Sequence, residues 1–239
     1  NAAMVMRGGA ILGCGSEAGS VASLAPTDNV DGGNASENGA GIYADGAAGI
    51  QIFDGVIAGN VTPKRGGGIF SNAGKVEFRG GVIAANIAGN IGGGICAQGG
   101  STVIIGNDRK METMDLPSLV ISGNTAKAIE RPSDESTDHR KSRHYGGGGV
   151  FSDSDTRLFV FHNAFITNNR AEGTPGQGSE GIQDGAGLGG GGIFSCGKIQ
   201  MSGSYITANY SEASGGGIFS YSGNLDKVNG GYPGRLPLT

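Results

Sequence analysis

The stretch Gly66-Gly67-Gly68-Ile69-Phe70 decides the fold, because the chain writes it repeatedly. It returns as GGGIC at Gly92–Cys96, GGGGVF at Gly146–Phe151, GGGGIF at Gly189–Phe194 and GGGIF at Gly215–Phe219. GGAIL at Gly8–Leu12 reads as a further copy, and GAGIY at Gly39–Tyr43 as a looser one. From Ile42 to Ile69 is 27 residues, from Ile69 to Ile95 is 26, and from Ile193 to Ile218 is 25. A unit of that length cannot bury its own apolar face and must stack on its neighbours.

Each unit carries three short β signals. The glycine run with its Ile is the first. The second alternates, as in Lys75-Val76-Glu77-Phe78, Lys198-Ile199-Gln200-Met201 and Ile50-Gln51-Ile52, so one face points in and one out. The third ends in Ile-x-x-Asn: Ile57 to Asn60, Ile83 to Asn86, Ile121 to Asn124, Ile166 to Asn169, Ile206 to Asn209. Three strands per coil joined by Gly and Asn corners predict an all-β, right-handed parallel β-helix. It has seven or more coils of 25–27 residues and forms one domain over 1–239. Stacked in register, Asn60, Asn86, Asn124, Asn169 and Asn209 form a column whose amides can hydrogen-bond along the axis. That column is read as structural.

Composition agrees with such a stack. Glycine is 50 of 239 residues, set at fixed offsets from Ile and Val without the three-residue period of collagen. The charged fraction is 16% and the formal net charge −4, which argues against nucleic acid as the partner. No run of 18 apolar residues marks a transmembrane helix. Three cysteines cannot close a disulfide set and read as free thiols; Cys14 and Cys196 both stand three after a repeat Ile, and Cys96 replaces the Phe.

Gly8-Gly9-Ala10-Ile11 and Phe165-Ile166-Thr167-Asn168 match the GGA[ILV] and FxxN signature of chlamydial polymorphic outer-membrane proteins. Over about residues 8–224 the chain resembles those repeats, which are passengers of autotransporter adhesins, and glycine-rich right-handed β-helix repeats of secreted proteins. The resemblance implies the fold and an extracellular or cell-surface setting, and no specific activity.

Three insertions break the period, at 106–118, 128–145 and 172–188. The second and third precede glycine runs and are expected to leave one corner of successive coils as a composite ridge. Arg131, Asp134, Asp138, His139, Arg140, Lys141, Arg143 and His144 make the second the most charged stretch. A second candidate surface is Tyr43, Phe70, Phe151, Phe194 and Phe219, each following a repeat Ile. Strict alternation turns these rings outward as a partner face; a bent strand turns them inward as core. Both arrangements are open at this stage.

Parallel β-helices also host polysaccharide lyases, which need clustered acids on one groove. Here Asp153, Asp155 and Arg157 are close together, without a paired acidic column. Asp28-Asn29-Val30-Asp31-Gly32 lacks the alternate spacing of a calcium loop, and His139, His144 and His162 lack metal-ligand spacing. No Gly-Lys-Ser/Thr follows any glycine run. The expectation is therefore a non-enzymatic structural, adhesion or interaction module without cofactor or metal, working with a protein partner or larger assembly. The alternatives are a polysaccharide lyase or glycan binder, and an accessory subunit of a larger complex, which would place it in a lumenal or organellar setting.

Overall fold

The computed structural model describes residues 3–15, 38–46, 48–107, 119–127, 145–172 and 188–220. Among them there is no helix, and every ladder between strands is parallel. The arrangement is that of a parallel β-solenoid, in which a strand pairs with its counterpart one repeat away.

The first column stacks β2 (Ile42–Ala44), β5 (Ile69–Asn72), β9 (Ile95–Gln98), β14 (Val150–Ser152), β19 (Ile193–Ser195) and β23 (Ile218–Ser220). Ile42, Ile69, Ile95, Val150, Ile193 and Ile218 lie in one register. The second column holds the alternating strands β6 (Lys75–Phe78), β10 (Thr102–Ile105), β15 (Arg157–Val160) and β20 (Lys198–Met201). The third holds β7 (Gly81–Ala84), β11 (Leu119–Ser122), β16 (Ala164–Thr167) and β21 (Tyr205–Thr207). Two ten-residue strands, β1 (Ala3–Leu12) and β3 (Gly49–Ala58), pair with each other; β3 runs through the second and third columns without a break.

A fourth column follows each Asn corner: β4 (Val61–Thr62), β8 (Ile87–Ala88), β12 (Thr125–Lys127), β17 (Arg170–Glu172) and β22 (Tyr210–Ser211). β13 (Tyr145–Gly146) and β18 (Leu188–Gly189) pair just before two glycine runs. The second and third interruptions thus leave from paired strands, β12 and β17, and return on paired strands, β13 and β18.

Alternation places Val76, Val103 and Leu158 of the second column and Ile57, Ile83, Ile121 and Ile166 of the third in one buried core with the first-column Ile stack. The corner between the third and fourth columns is held by the asparagines. The Asn60 backbone N–H and Nδ2 both donate to Asn86 Oδ1, at 3.0 and 2.8 Å. Asn86 does the same to Asn124, Asn124 to Asn169, and Asn169 to Asn209, at 2.9–3.0 Å. The second Nδ2 hydrogen of Asn86 reaches back to the Ile57 carbonyl, 2.9 Å away in the coil before. Each interior amide is therefore saturated by one coil on each side, and Asn60, Asn86, Asn124 and Asn169 are wholly buried.

Glycine makes room for this ladder. A methyl on Gly68 would sit 2.6 Å from the Gly94 carbonyl oxygen and 3.1 Å from Asn86 Nδ2. The same crowding recurs at Gly94, Gly149 and Gly192. The first glycine of each run has another task. Gly66, at φ +67°, folds the chain back against the Ile69 carbonyl and the Phe70 Cβ.

Two sequence readings are corrected, and a third is upheld at Asn169. Gly8–Leu12 is not a first-column strand: Ala10, Ile11 and Leu12 pair with Val56, Ile57 and Ala58 of the third column. Gly13 then matches the left-handed corner residue Gly59, and Cys14 takes the place of an asparagine, its N–H donating to Asn60 Oδ1 at 2.9 Å. Cys14 and Cys196 are consequently not at equivalent positions. Asn168 of the Phe-x-x-Asn match is a left-handed corner residue at φ +55°, and the ladder uses Asn169.

The ladder makes two substitutions diagnostic. Asn86→Leu strands the backbone N–H and Nδ2 donors of Asn60 in the interior, removes the Nδ2 donor to the Ile57 carbonyl, and leaves Asn124 Oδ1 with the residue-86 backbone N–H alone, at about 1–3 kcal/mol for each unsatisfied group. Denaturant unfolding should show a loss of at least about 3 kcal/mol. Gly68→Ala should cost about 1–3 kcal/mol by overpacking. Gly49→Ala, whose nearest neighbour would be 3.9 Å away, should stay within about 1 kcal/mol of wild type.

Candidate functional surface

Alternation leaves every other residue of the second and third columns on the outside of one sheet. The outward column of the third strands runs Val56, Val82, Val120, Phe165, Tyr205. It is apolar in every coil. Val56 is 36%, Phe165 37% and Tyr205 56% exposed, and the last two rings stack at 4.9 Å and 7°. Beside it, the outward residues of the second strands are Lys75 and Glu77, Thr102 and Ile104, Arg157 and Phe159, Lys198 and Gln200. Phe53 adds a ring at the β3 edge, with the Arg7 guanidinium 4.9 Å above it.

The candidate aromatic face is resolved in favour of the core. Phe70, Phe151 and Phe194 are 3%, 2% and 0% exposed, and they form a second cluster with Ile91 and Cys96; Phe219 packs on it half-buried. Only Tyr43, at the first described coil of this column, stays exposed, stacked on Phe70 at 5.2 Å. Strict alternation fails here because the left-handed glycine before each strand folds the chain back over the position after the Ile. Both sides of the first-column strand are covered, so Phe70, Phe151 and Phe194 cannot serve as a partner face.

The residues of the proposed charged ridge, Arg131, Asp134, Asp138, His139, Arg140, Lys141, Arg143 and His144, lie outside the described residues, as does Asp28–Gly32. Asp153 and Asp155 sit in the turn before β15. The Asp153 carboxylate accepts from the Ser154 N–H at 2.7 Å. His162 packs against Gly203. Among the described residues no group of three His, Cys, Asp or Glu converges as a metal site would require. The described cysteines are free, and burial pushes the Cys96 and Cys196 thiols up to about 12, so neither is a nucleophile at neutral pH.

The densest polar network on the outer face centres on Glu77. Gln51 Nε2 donates to its Oε2 at 2.6 Å, and Lys75 Nζ and Arg79 Nη2 both lie 3.0 Å from its Oε1. Arg79 Nη1 also donates to the Gly106 carbonyl at 2.9 Å. Burial alone would raise the Glu77 pKa, but the bonds from Lys75, Gln51 and Arg79 and the Lys75 charge outweigh it. They hold it at about 2 against an ordinary 4.5. Glu77 therefore stays a carboxylate and cannot supply a proton as a general acid near neutrality.

The signal for the exposed aromatics was present in the chain. The residue before the inward Ile of each Ile-x-x-Asn is Val56, Val82, Val120, Phe165 or Tyr205, never polar. Comparison with family models, curated proteins and solved structures returned no match. The parallel all-β architecture agrees with the chlamydial repeat resemblance, and no matching family supports that specific likeness.

The Glu77 network sets a pH dependence. Its folded pKa lies below its unfolded one, so the stabilisation is complete above about pH 4.5 and is lost as pH falls toward about 2. Unfolding free energies across that window should decline for wild type. Glu77→Gln should flatten this decline and cost about 1–3 kcal/mol at pH 7, where Lys75 and Arg79 lose their anionic partner.

Proposed function

We propose that the chain is a non-enzymatic interaction or adhesion module. In this reading it is a single right-handed β-helix of seven or more coils, working at a cell surface or in the extracellular space. The observation that carries it is the outward column Val56–Val82–Val120–Phe165–Tyr205. A contiguous apolar stripe across five coils, ending in two exposed stacked rings, is the kind of surface that marks an interaction site. The sheet beneath is rigidly registered by the Asn ladder, so the stripe is presented without an ordering cost on binding. Aromatic residues at such positions carry much of the energy of protein interfaces. The resemblance to surface-protein repeats supports the setting. The stripe equally supports the accessory-subunit form of this reading, in which the partner is a fixed neighbour in a larger assembly.

The reading is tested on the chain from its native source. It should copurify with a stoichiometric protein partner. Against that partner, Phe165→Ser/Tyr205→Ser should weaken binding at least tenfold without changing the β spectrum of the free chain. A native chain that runs as a free monomer, or a double variant that binds its partner undiminished, overturns it.

A further inference from the structure

We infer that the outward face of β6, β10, β15 and β20 is a binding site for a linear acidic polysaccharide, a chain bearing carboxylates or sulfates. Lys75, Thr102, Arg157 and Lys198 form one column across four successive strands. Strand spacing sets their backbones about 4.8 Å apart. Arg157 and Lys198 are direct cross-strand neighbours, both exposed, and like charges so placed repel. Among the described residues neither has a carboxylate within ion-pair distance; Asp153 and Asp155, in the preceding turn, do not pair with Arg157. With Arg79 the face carries four cations against one acid, Glu77, which is already engaged by Lys75 and Arg79. The chain as a whole is net −4, so the charge of this face runs against that of the protein.

The rest of the face narrows the kind of anion. Next to the cations lie Ile104 and Phe159, half-buried, then Phe161, and the exposed amide of Gln200. Phe159 and Phe161 stack on each other at 5.8 Å, which takes up one face of each ring. Their outer edges offer the apolar contact that sugar C–H groups need, with an amide and a hydroxyl alongside for sugar oxygens. A column along the stacking direction suits an extended polymer whose anions recur along its length. The site is separate from the apolar stripe of the third column, and does not depend on it.

The test uses the full chain with a polyuronate, a sulfated glycosaminoglycan and neutral dextran, by titration calorimetry at low salt and at 0.5 M salt. Either acidic polymer, or both, should bind, with affinity falling steeply as salt rises; which binds tighter distinguishes carboxylate from sulfate. Arg157→Ser/Lys198→Ser should lower that affinity at least tenfold, and Arg157→Lys/Lys198→Arg should restore it to within about threefold. Lys127→Ser, on the fourth column, and Phe165→Ser/Tyr205→Ser should leave it unchanged. The inference is overturned if both acidic polymers bind no better than dextran, or if the double serine variant, folded by its β spectrum, binds undiminished. Equal or tighter binding of a single-stranded oligonucleotide or of polyglutamate also overturns it.

Discussion

A side-chain amide cannot be buried with any of its hydrogen-bonding positions empty, and this protein buries one in each of several successive coils. The solution is mutual. Each Asn accepts two N–H groups from the coil before and donates into the coil after, and its remaining hydrogen turns back to an Ile carbonyl. No coil can satisfy its own amide, so the ladder holds neighbouring coils in one register at this corner. The glycine opposite the amide follows from this, because any Cβ there would meet a backbone carbonyl and crowd the amide. So does the left-handed residue before each Asn: Gly59, Ala85, Gly123, Asn168 and Ala208 all have φ between +52° and +65°. That three of these are not glycine shows the corner conformation is imposed by the ladder against a local cost of about 1–2 kcal/mol per residue.

What could be read from the chain beforehand follows the same division. The Ile stack and the Asn column were legible because stacking demands the same chemical group at the same place in every coil. The Gly8–Leu12 segment misled because a Gly-Gly-Ala-Ile string imitates the glycine run. Its true register is set by the Gly13-Cys14 corner, where the expected amide is missing. The first-column rings misled because alternation assumes a strand with one covered side, and the folded-back glycines cover the other. The fourth column escaped notice since its strands are two or three residues long and share only a small residue at their second position, Thr62, Ala88, Ala126, Ala171 and Ser211.

The outer surface was least legible, for the complementary reason. Outward positions need no identity from coil to coil: Lys75 stands beside Thr102, and Glu77 beside Ile104. Nothing in the stack constrains these second-column residues beyond compatibility with the sheet, so repeats leave no trace there, whereas the outward residues of the third column stay apolar from Val56 to Tyr205. Repeating and non-repeating outward residues alike are held on a scaffold whose register they do not influence.

The ladder also has a direction. At its Asn209 end the last amide receives from Asn169 and has no following acceptor among the described residues. At the other described end Cys14 contributes one backbone N–H and a thiol, with no side-chain carbonyl oxygen to accept from a further rung. The two ends are chemically unlike and do not complete one another. Between them every rung points the same way, the amides of Asn60, Asn86, Asn124 and Asn169 all donating toward the Asn209 side. Aligned hydrogen bonds polarise one another, so the described rungs act as one polar line along the corner rather than as separate pairs.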